Sequence, residues 1–276
     1  MILEGKTLKE NILNDLTNKI SKLEVKPTLV VIQVGEDPAS CVYVSQKEKM
    51  AKRVGINFIL EKLEDNITEE ELINIINSYN VNENVDGILV QMPLPKHINE
   101  AKVQNAINYL KDVDGLTDIN AGRLLHNKDS LVACTSLGII ELLKYYNIEI
   151  SSKNVVIVGR SNLVSKPLYS LFINENATVT MCHSKTVNLK KYTKEADILV
   201  VAVGKKHLIT KDMVKEGSTV IDVGINRYDN KLYGDVDFDN VNDIVNITPV
   251  PGGVGQMTVA MLGCNTLKAY NLRHIK

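Results

Sequence analysis

The stretch Val155-Val-Ile-Val-Gly-Arg-Ser-Asn-Leu-Val-Ser165 decides the fold of this chain. A short β-branched run ends at Gly159, and apolar residues then recur at helical spacing at Leu168, Leu171 and Phe172. This order reads as a buried parallel strand turning into a helix whose N-terminus faces the turn. Free backbone N–H groups and the helix dipole make such a turn a place for phosphate. The next strand pattern, 177–182, runs into His183-Ser-Lys185. A unit that binds NAD places an acid about 20 residues beyond the glycine turn, where it holds a ribose hydroxyl. No acid stands there. Arg160, Ser184 and Lys185 suit a ribose 2′-phosphate instead, so the pattern points to NADP. Only the first glycine of a G-x-G-x-x-G is present, with Ser161 and Ser165 at later small-residue positions. A tight strand–helix turn that binds nothing is therefore the competing reading.

Strand and helix patterns alternate on both sides of this stretch. Strands are expected over 28–34, 57–63 and 86–92. Helices are expected over 40–53, closed by Gly55, over 68–79, and over 99–110. Thr68 with Glu71 three residues on forms a capping box. Residues 111–133 are less regular, and a helix follows over 135–146. Beyond the nucleotide turn come strands over 198–203 and 219–223, a hairpin over 228–234 with Asp229 and Asn230 at its tip, and a last helix over 256–272. Repeated βα units imply parallel sheets covered on both faces. The expected architecture is two open parallel-sheet α/β domains flanking a cleft, with the last helix packing back on the first domain.

The 276 residues suffice for two modest cores. A hydrophobic share of 44% with 24% charged residues is that of an ordinary globular protein, and the net charge of −1 gives no reason to expect a nucleic-acid partner. With no Trp and only Phe58, Phe172 and Phe238, the cores rest on Ile, Leu and Val. Cys41, Cys134, Cys182 and Cys264 include no C-x-x-C pair, so four buried, reduced thiols in a cytoplasmic protein are expected. Residues 1–20 carry charges throughout and read as an amphipathic start rather than a secretory signal. No apolar run approaches the roughly 18 residues needed to span a bilayer, so no membrane partner is expected.

Four further stretches could carry chemistry. In the first predicted helix Val44, Lys47, Ala51 and Val54 share one face, and Tyr43 lies one turn before Lys47. The lysine either drapes its stem over apolar surface with its amine in water, or holds a partly desolvated amine of lowered pKa suited to proton transfer. The strand Asp86-Gly-Ile-Leu-Val-Gln-Met-Pro-Leu-Pro95 ends at Gln91, where open α/β sheets bind ligands. Gln91 could bond Lys47, or be satisfied by a neighbouring loop. Lys111-Asp-Val-Asp-Gly115 is either a solvated turn or a cation site. No further acid follows at EF-hand spacing, so no metal is expected. Thr248-Pro-Val-Pro-Gly-Gly-Val-Gly-Gln-Met-Thr258 mixes stiff prolines with permissive glycines and lets a ligand approach bare backbone. It lacks the G-K-[ST] of an ATP loop.

Taken in order, Tyr43-Val-Ser-Gln-Lys-Glu-Lys49, Asp86 through Pro95, Lys111 through Gly115, Gly159-Arg-Ser-Asn-Leu-Val164 and Pro249-Val-Pro-Gly-Gly-Val-Gly255 resemble the bifunctional methylenetetrahydrofolate dehydrogenase/cyclohydrolase family over nearly the whole chain. Members oxidise methylene-tetrahydrofolate with NADP and hydrolyse the methenyl product to formyl-tetrahydrofolate, a step of one-carbon metabolism. The resemblance implies a catalytic Lys47 with Gln91 as its hydrogen-bonding partner, Asp114 on the pterin and Tyr43 stacked on the aminobenzoyl ring. It adds Val90, Met92, Pro93, Pro251, Gly252, Gly253 and Thr258 to the folate site. Gly159, Arg160, Ser161, Ser184 and Ile225 would hold NADP. It implies a folate-binding catalytic domain over 1–135 with 257–276, a Rossmann-type NADP-binding domain over 136–256, and a homodimer. The chain departs from the family pattern at Ala133 and Ser136, where prolines are common, at Ser165, where glycine is, and at Gln256, where proline is. A different two-domain NADP dehydrogenase acting on a hydroxy or amino acid would share only the nucleotide half. It would not need Lys47 and Gln91 beside an aromatic stacker, and a non-catalytic nucleotide-binding sensor is the other class of alternative.

Overall fold

A computed structural model describes residues 1–229 and 231–274. The chain divides into two compact units, one of Met1–Glu10 with Thr135–Thr258, the other of Asn11–Cys134 with the chain from Val259 on. The divisions fall within helix α1 (Lys6–Ser21), at the first residue of the helix Cys134–Tyr145, and within the last helix. The expected grouping placed the first ten residues with the other unit. They join this one by backbone pairing: Leu3 N–H donates to Ile247 O (2.8 Å), Ile247 N–H to Met1 O (3.0 Å) and Gly5 N–H to Gly252 O (2.9 Å).

The unit of residues 11–134 is built from β1 (Thr28–Val34), α2 (Pro38–Val54), β2 (Asn57–Leu63), α3 (Glu69–Val81), β3 (Gly87–Val90), α4 (Glu100–Ala106) and α5 (Asp118–Leu125). Its sheet is parallel, in the order β2-β1-β3. Leu29, Val30, Val31 and Ile32 of the central strand are fully buried, as a β-branched run covered on both faces requires. Asp37 caps α2 by accepting from Ser40 N–H at 2.8 Å, and Gly55 ends it at φ +84°. The capping box of Thr68 and Glu71 opens α3. Two expectations fail here. The helix over 99–110 stops at Ala106, because side-chain acceptors replace its ladder: Asn80 Oδ1 takes Asn108 N–H (2.8 Å) and Asn108 Oδ1 takes Leu110 N–H (3.0 Å). The segment expected to be irregular contains α5, started by Thr117.

The other unit contains α6 (Cys134–Tyr145), β4 (Asn154–Val158), α7 (Ser165–Asn174), β5 (Thr178–Cys182), α8 (Leu189–Thr193), β6 (Ile198–Val201), β7 (Thr219–Asp222), β8 (Asn226–Tyr228), β9 (Lys231–Tyr233), α9 (Phe238–Val241), β10 (Asn246–Ile247) and the start of α10 (Gly255–His274). Five strands make a parallel sheet in the order β10-β7-β6-β4-β5, over a core that includes Val156, Leu199, Val201 and Val220. Strands β8 and β9 form the expected antiparallel hairpin. Asp229 at its turn has φ +48°, and Asn230, the other expected tip residue, lies outside the described residues. Helices α8 and α9 and strand β10 are too short to leave a period in the sequence.

The cysteine expectation is half corrected. All four thiols are free and Cys134 and Cys182 are buried, but Cys264 is half-buried and Cys41 exposed. Cys41 lies in the first turn of α2, next to the buried Ser40 but itself turned out to solvent.

Among the described residues no helix is long and apolar enough to cross a membrane.

Candidate active site

Lys47 stands on the inner face of α2. Val44, Ala51 and Val54, its neighbours at helical spacing, are buried. Its Nζ donates to Gln91 Oε1 at 2.8 Å. Gln91 leaves the carboxyl end of β3 and is itself buried. Its backbone N–H bonds Ile32 O (2.8 Å) and its Nε2 bonds Met92 O (2.7 Å), so the amide oxygen is fixed toward the lysine. Burial pushes the Lys47 amine below the usual lysine range, while the charge of Asp114 pulls it back up. Burial likewise raises the Asp114 carboxyl, against the lowering effect of Lys47. Residues 44, 67 and 23 positions apart along the chain, as Lys47, Gln91 and Asp114 are in pairs, thus meet at one place in one unit. Tyr43, one turn before Lys47, is 48% exposed and presents its ring to solvent. Val90 is buried in β3, and Met92 and Pro93 continue from Gln91.

The loop that carries Asp114 is tied down by groups the sequence reading did not single out. Asp112 is fully buried and accepts from Gly115 N–H (3.0 Å), Thr117 N–H (2.8 Å) and Asn120 Nδ2 (3.0 Å). It is the structural carboxylate of this pair; it spends its oxygens on the loop. Among the described residues no group of three or more His, Cys, Asp and Glu is arranged to hold a metal ion. Gly115 sits at φ +70°, and a Cβ there would overlap the backbone of Val132. Asn265 of α10 donates from Nδ2 to both Val113 O and Val132 O at 2.8 Å, and the buried Cys134 thiol lies 3.4 Å from Val113 O. The only sequence signal for Asn265 is a buried-face position within an apolar helix.

In the other unit, the turn after β4 lies where strand order reverses, since β5 and β6 flank β4 on opposite sides. Open α/β sheets bind ligands at such a point. Gly159 adopts φ +142°, and a Cβ there would stand 2.6 Å from Ala202 O and from Ser165 Oγ, so only glycine fits. Ser161 Oγ accepts from Val164 N–H at 3.2 Å, shaping the turn before α7. Val158 pairs with Cys182 in register, so Arg160 and Ser184, both exposed, each lie two residues past neighbouring strands. Ile225 follows β7 and is 54% exposed. The backbone there is set by two buried carboxylates that sequence reasoning missed. Asp235 accepts from Val203 N–H (2.7 Å), Gly204 N–H (3.0 Å), Lys205 N–H (2.7 Å) and Asn226 Nδ2 (2.9 Å). Asp222 accepts from Gly224, Asp235 and Val236 N–H, and burial pushes its carboxyl up to about 7.

Pro251, Gly252, Gly253 and Thr258 fall in this same unit. Gly252 has φ +118°, and a Cβ on Gly253 would come 2.8 Å from Pro249 O. Thr258 Oγ1 lies 3.1 Å from Thr135 Oγ1. Two of the departures from the family pattern have partners here: Ser136 Oγ donates to Val164 O (3.0 Å), and Gln256 Oε1 accepts from Lys9 Nζ (3.3 Å).

Two family profiles match the chain. The tetrahydrofolate dehydrogenase/cyclohydrolase catalytic domain covers residues 3–114, and the NAD(P)-binding domain of the same family covers residues 133–274. The bifunctional protein FolD of Campylobacter hominis is 53% identical over 273 residues, 97% of this chain and 96% of its own. The crystal structure of the FolD methylenetetrahydrofolate dehydrogenase/cyclohydrolase of Campylobacter jejuni superposes with a TM-score of 0.97 at 44% identity, covering 99% of both chains. That of the Trypanosoma brucei enzyme, complexed with NADP cofactor and inhibitor, superposes with a TM-score of 0.94 at 34% identity, over 100% of this chain and 99% of the other.

Proposed function

The chain belongs to the tetrahydrofolate dehydrogenase/cyclohydrolase family, and from that premise we propose that it oxidises methylene-tetrahydrofolate to the methenyl form with NADP and hydrolyses that product to 10-formyl-tetrahydrofolate. The observation that carries the reading is the Lys47 amine, desolvated, bonded to Gln91 and facing Asp114. A dehydrogenase for a hydroxy or amino acid, or a nucleotide sensor, would not need Lys47 and Gln91 paired one helical turn from an exposed aromatic ring.

The nucleotide turn fits the cofactor. Gly159 leaves the backbone bare at the strand-order reversal, and Arg160 and Ser184 together offer a guanidinium and a hydroxyl to a 2′-phosphate. Ser161 and the backbone at Ile225 complete the cofactor contacts. NADP, when bound, accepts the hydride. The dehydrogenase step asks the protein chiefly for orientation, because the carbon that loses hydride is already activated by two flanking nitrogens. The hydrolysis asks for more. Water must be deprotonated as it adds to the methenyl carbon, and a proton must reach a ring nitrogen as the C–N bond breaks. An amine held below its usual pKa can take the first proton and return it. Gln91 aims that amine and Asp114 holds the pterin beside it. Tyr43 supplies an exposed ring for the aminobenzoyl group. Val90, Met92 and Pro93 belong to the same folate contact. The same reading makes the protein a cytoplasmic homodimer paired through the nucleotide unit, for which the mass from sedimentation equilibrium should be twice that of the chain.

The test is paired. On purified protein, NADPH formation reads the dehydrogenase and decay of methenyl-tetrahydrofolate absorbance reads the cyclohydrolase. Lys47→Met should cut the cyclohydrolase by about 10²–10⁴-fold, the usual span for a general acid–base group, and leave measurable dehydrogenase. Wild-type cyclohydrolase in that variant would make Lys47 a structural lysine. Catalytic efficiency should be higher with NADP than with NAD, and Arg160→Ala should weaken NADP more than NAD; equal loss with both would take Arg160 off the 2′-phosphate.

A further inference from the structure

We propose that Asn265 is a positioning residue for the cyclohydrolase step, holding the Asp114 loop in the place from which Asp114 acts on Lys47. The inference rests on the role given to Lys47 above. Asn265 is buried, and one amide nitrogen serves two carbonyls, Val113 O and Val132 O, both at 2.8 Å. Val113 immediately precedes Asp114. Val132 belongs to the strand of chain against which Gly115 packs so closely that no Cβ fits. The amide therefore ties both walls of the loop to α10. The Cys134 thiol shares the same carbonyl, 3.4 Å from Val113 O and 3.6 Å from Asn265 Nδ2. Asp112 already holds the other side of the loop through Gly115, Thr117 and Asn120. Its bonds stay within residues 112–120, so they shape the loop without fixing where it sits. On the strand side Ile88 N–H donates to Lys111 O at 2.7 Å; Asn265 is the tie from α10, and it bonds the residue next to Asp114.

Removing the two donors leaves two buried carbonyls without this partner, and the loop relaxes to find others. Asp114 then moves relative to the amine. The titratable groups that face Lys47 are Asp114 and Cys134, whose thiol burial keeps protonated; those that face Asp114 are Lys47, Asp112 and Cys134. Asp114 is the one that favours the protonated amine most. With it displaced, the amine loses its proton more readily, and the acid limb of the cyclohydrolase pH profile moves to lower pH. Misplacement of a reacting group by about 1 Å can cost 10²-fold, so kcat should fall by about 10- to 100-fold, with a smaller change in dehydrogenase activity.

The experiment compares Asn265→Leu, which keeps the volume and removes both donors, with wild type, Lys47→Met, Asp114→Asn and the double variant Asn265→Leu/Asp114→Asn. Each is assayed for thermal midpoint, both activities, and the cyclohydrolase pH profile. We expect a lower kcat, an acid limb shifted to lower pH, and little further loss when Asn265→Leu is added to Asp114→Asn, since both act on one interaction. An Asn265→Leu protein with an unmoved pH profile, or a loss that multiplies fully with that of Asp114→Asn, overturns the proposal. If Lys47→Met itself keeps cyclohydrolase activity, the reading of the lysine fails first, and that result is separate. Should Asn265→Leu not fold, Asn265→Ser takes its place; failure of both to fold would make Asn265 a purely structural residue and also overturn the proposal.

Discussion

A lysine on an apolar helix face is costly to the fold and useful to the chemistry. Lys47 has a folded-state pKa below its ordinary value of 10.5. The folded protein therefore binds that proton less well than the unfolded chain, and the penalty fades as pH rises toward the ordinary value. Lys47→Met, an apolar chain of similar length, should lose the cyclohydrolase and melt no lower than wild type at pH 7, and calorimetry on the two proteins would show it. Ser165 poses the opposite case. Its hydroxyl is fully buried without a partner among the described residues, pressed against Gly159, at a position where the family pattern carries glycine. An unsatisfied buried hydroxyl is a net cost. Ser165→Ala should raise stability by up to about 1 kcal/mol, read as an increased denaturation midpoint with unchanged denaturant slope; a drop would mean that the hydroxyl has a partner in solution.

At the scale of elements, the strands deliver residues and the loops hold them. Strand β3 is only four residues long, but it sets Gln91 at the sheet edge facing α2. The loop after β6 has no regular structure, and its shape is that of the Asp235 carboxylate, which gathers three consecutive backbone N–H groups. Asp235→Ala strands those donors in a buried setting. It should weaken NADP binding, measured by titration calorimetry, more than it weakens the cyclohydrolase, whose proton-transfer group lies in the other unit. Equal losses would assign Asp235 to general stability. The capping box of α3, the glycine end of α2 and the bounds of β1 and β2 were all legible locally, because each depends on residues within one turn or one strand. Helix α5 and the early end of α4 were not, since asparagine side chains at Asn80, Asn108 and Asn120 redistribute the backbone bonding there.

For the molecule as a whole, pH reaches the nucleotide unit through Asp222. Its folded pKa of about 7 stands above the ordinary 3.8, so the folded protein keeps a proton that the unfolded chain releases. The stability this contributes is complete below about pH 4 and is lost as pH rises through about 7. Thermal midpoints at pH 5 and pH 8 should therefore differ more in wild type than in Asp222→Asn, whatever the variant's mean stability; an identical difference would show that Asp222 does not titrate in this range. The nucleotide turn, the alternation of strands and helices, the lysine on its apolar face and the family pattern were determined by the sequence alone. Each is a short-range signal: a period, a cap or a motif. Tertiary structure alone decided which of two neighbouring aspartates holds the loop and which faces the lysine. It also decided that Met1–Glu10 pairs with a strand near residue 247, and that Asn265, 152 residues beyond Val113, ties down the Asp114 loop. Those outcomes depend on which buried donors and acceptors meet after the chain has collapsed, and hydrogen bonds between residues so far apart leave no period in the sequence.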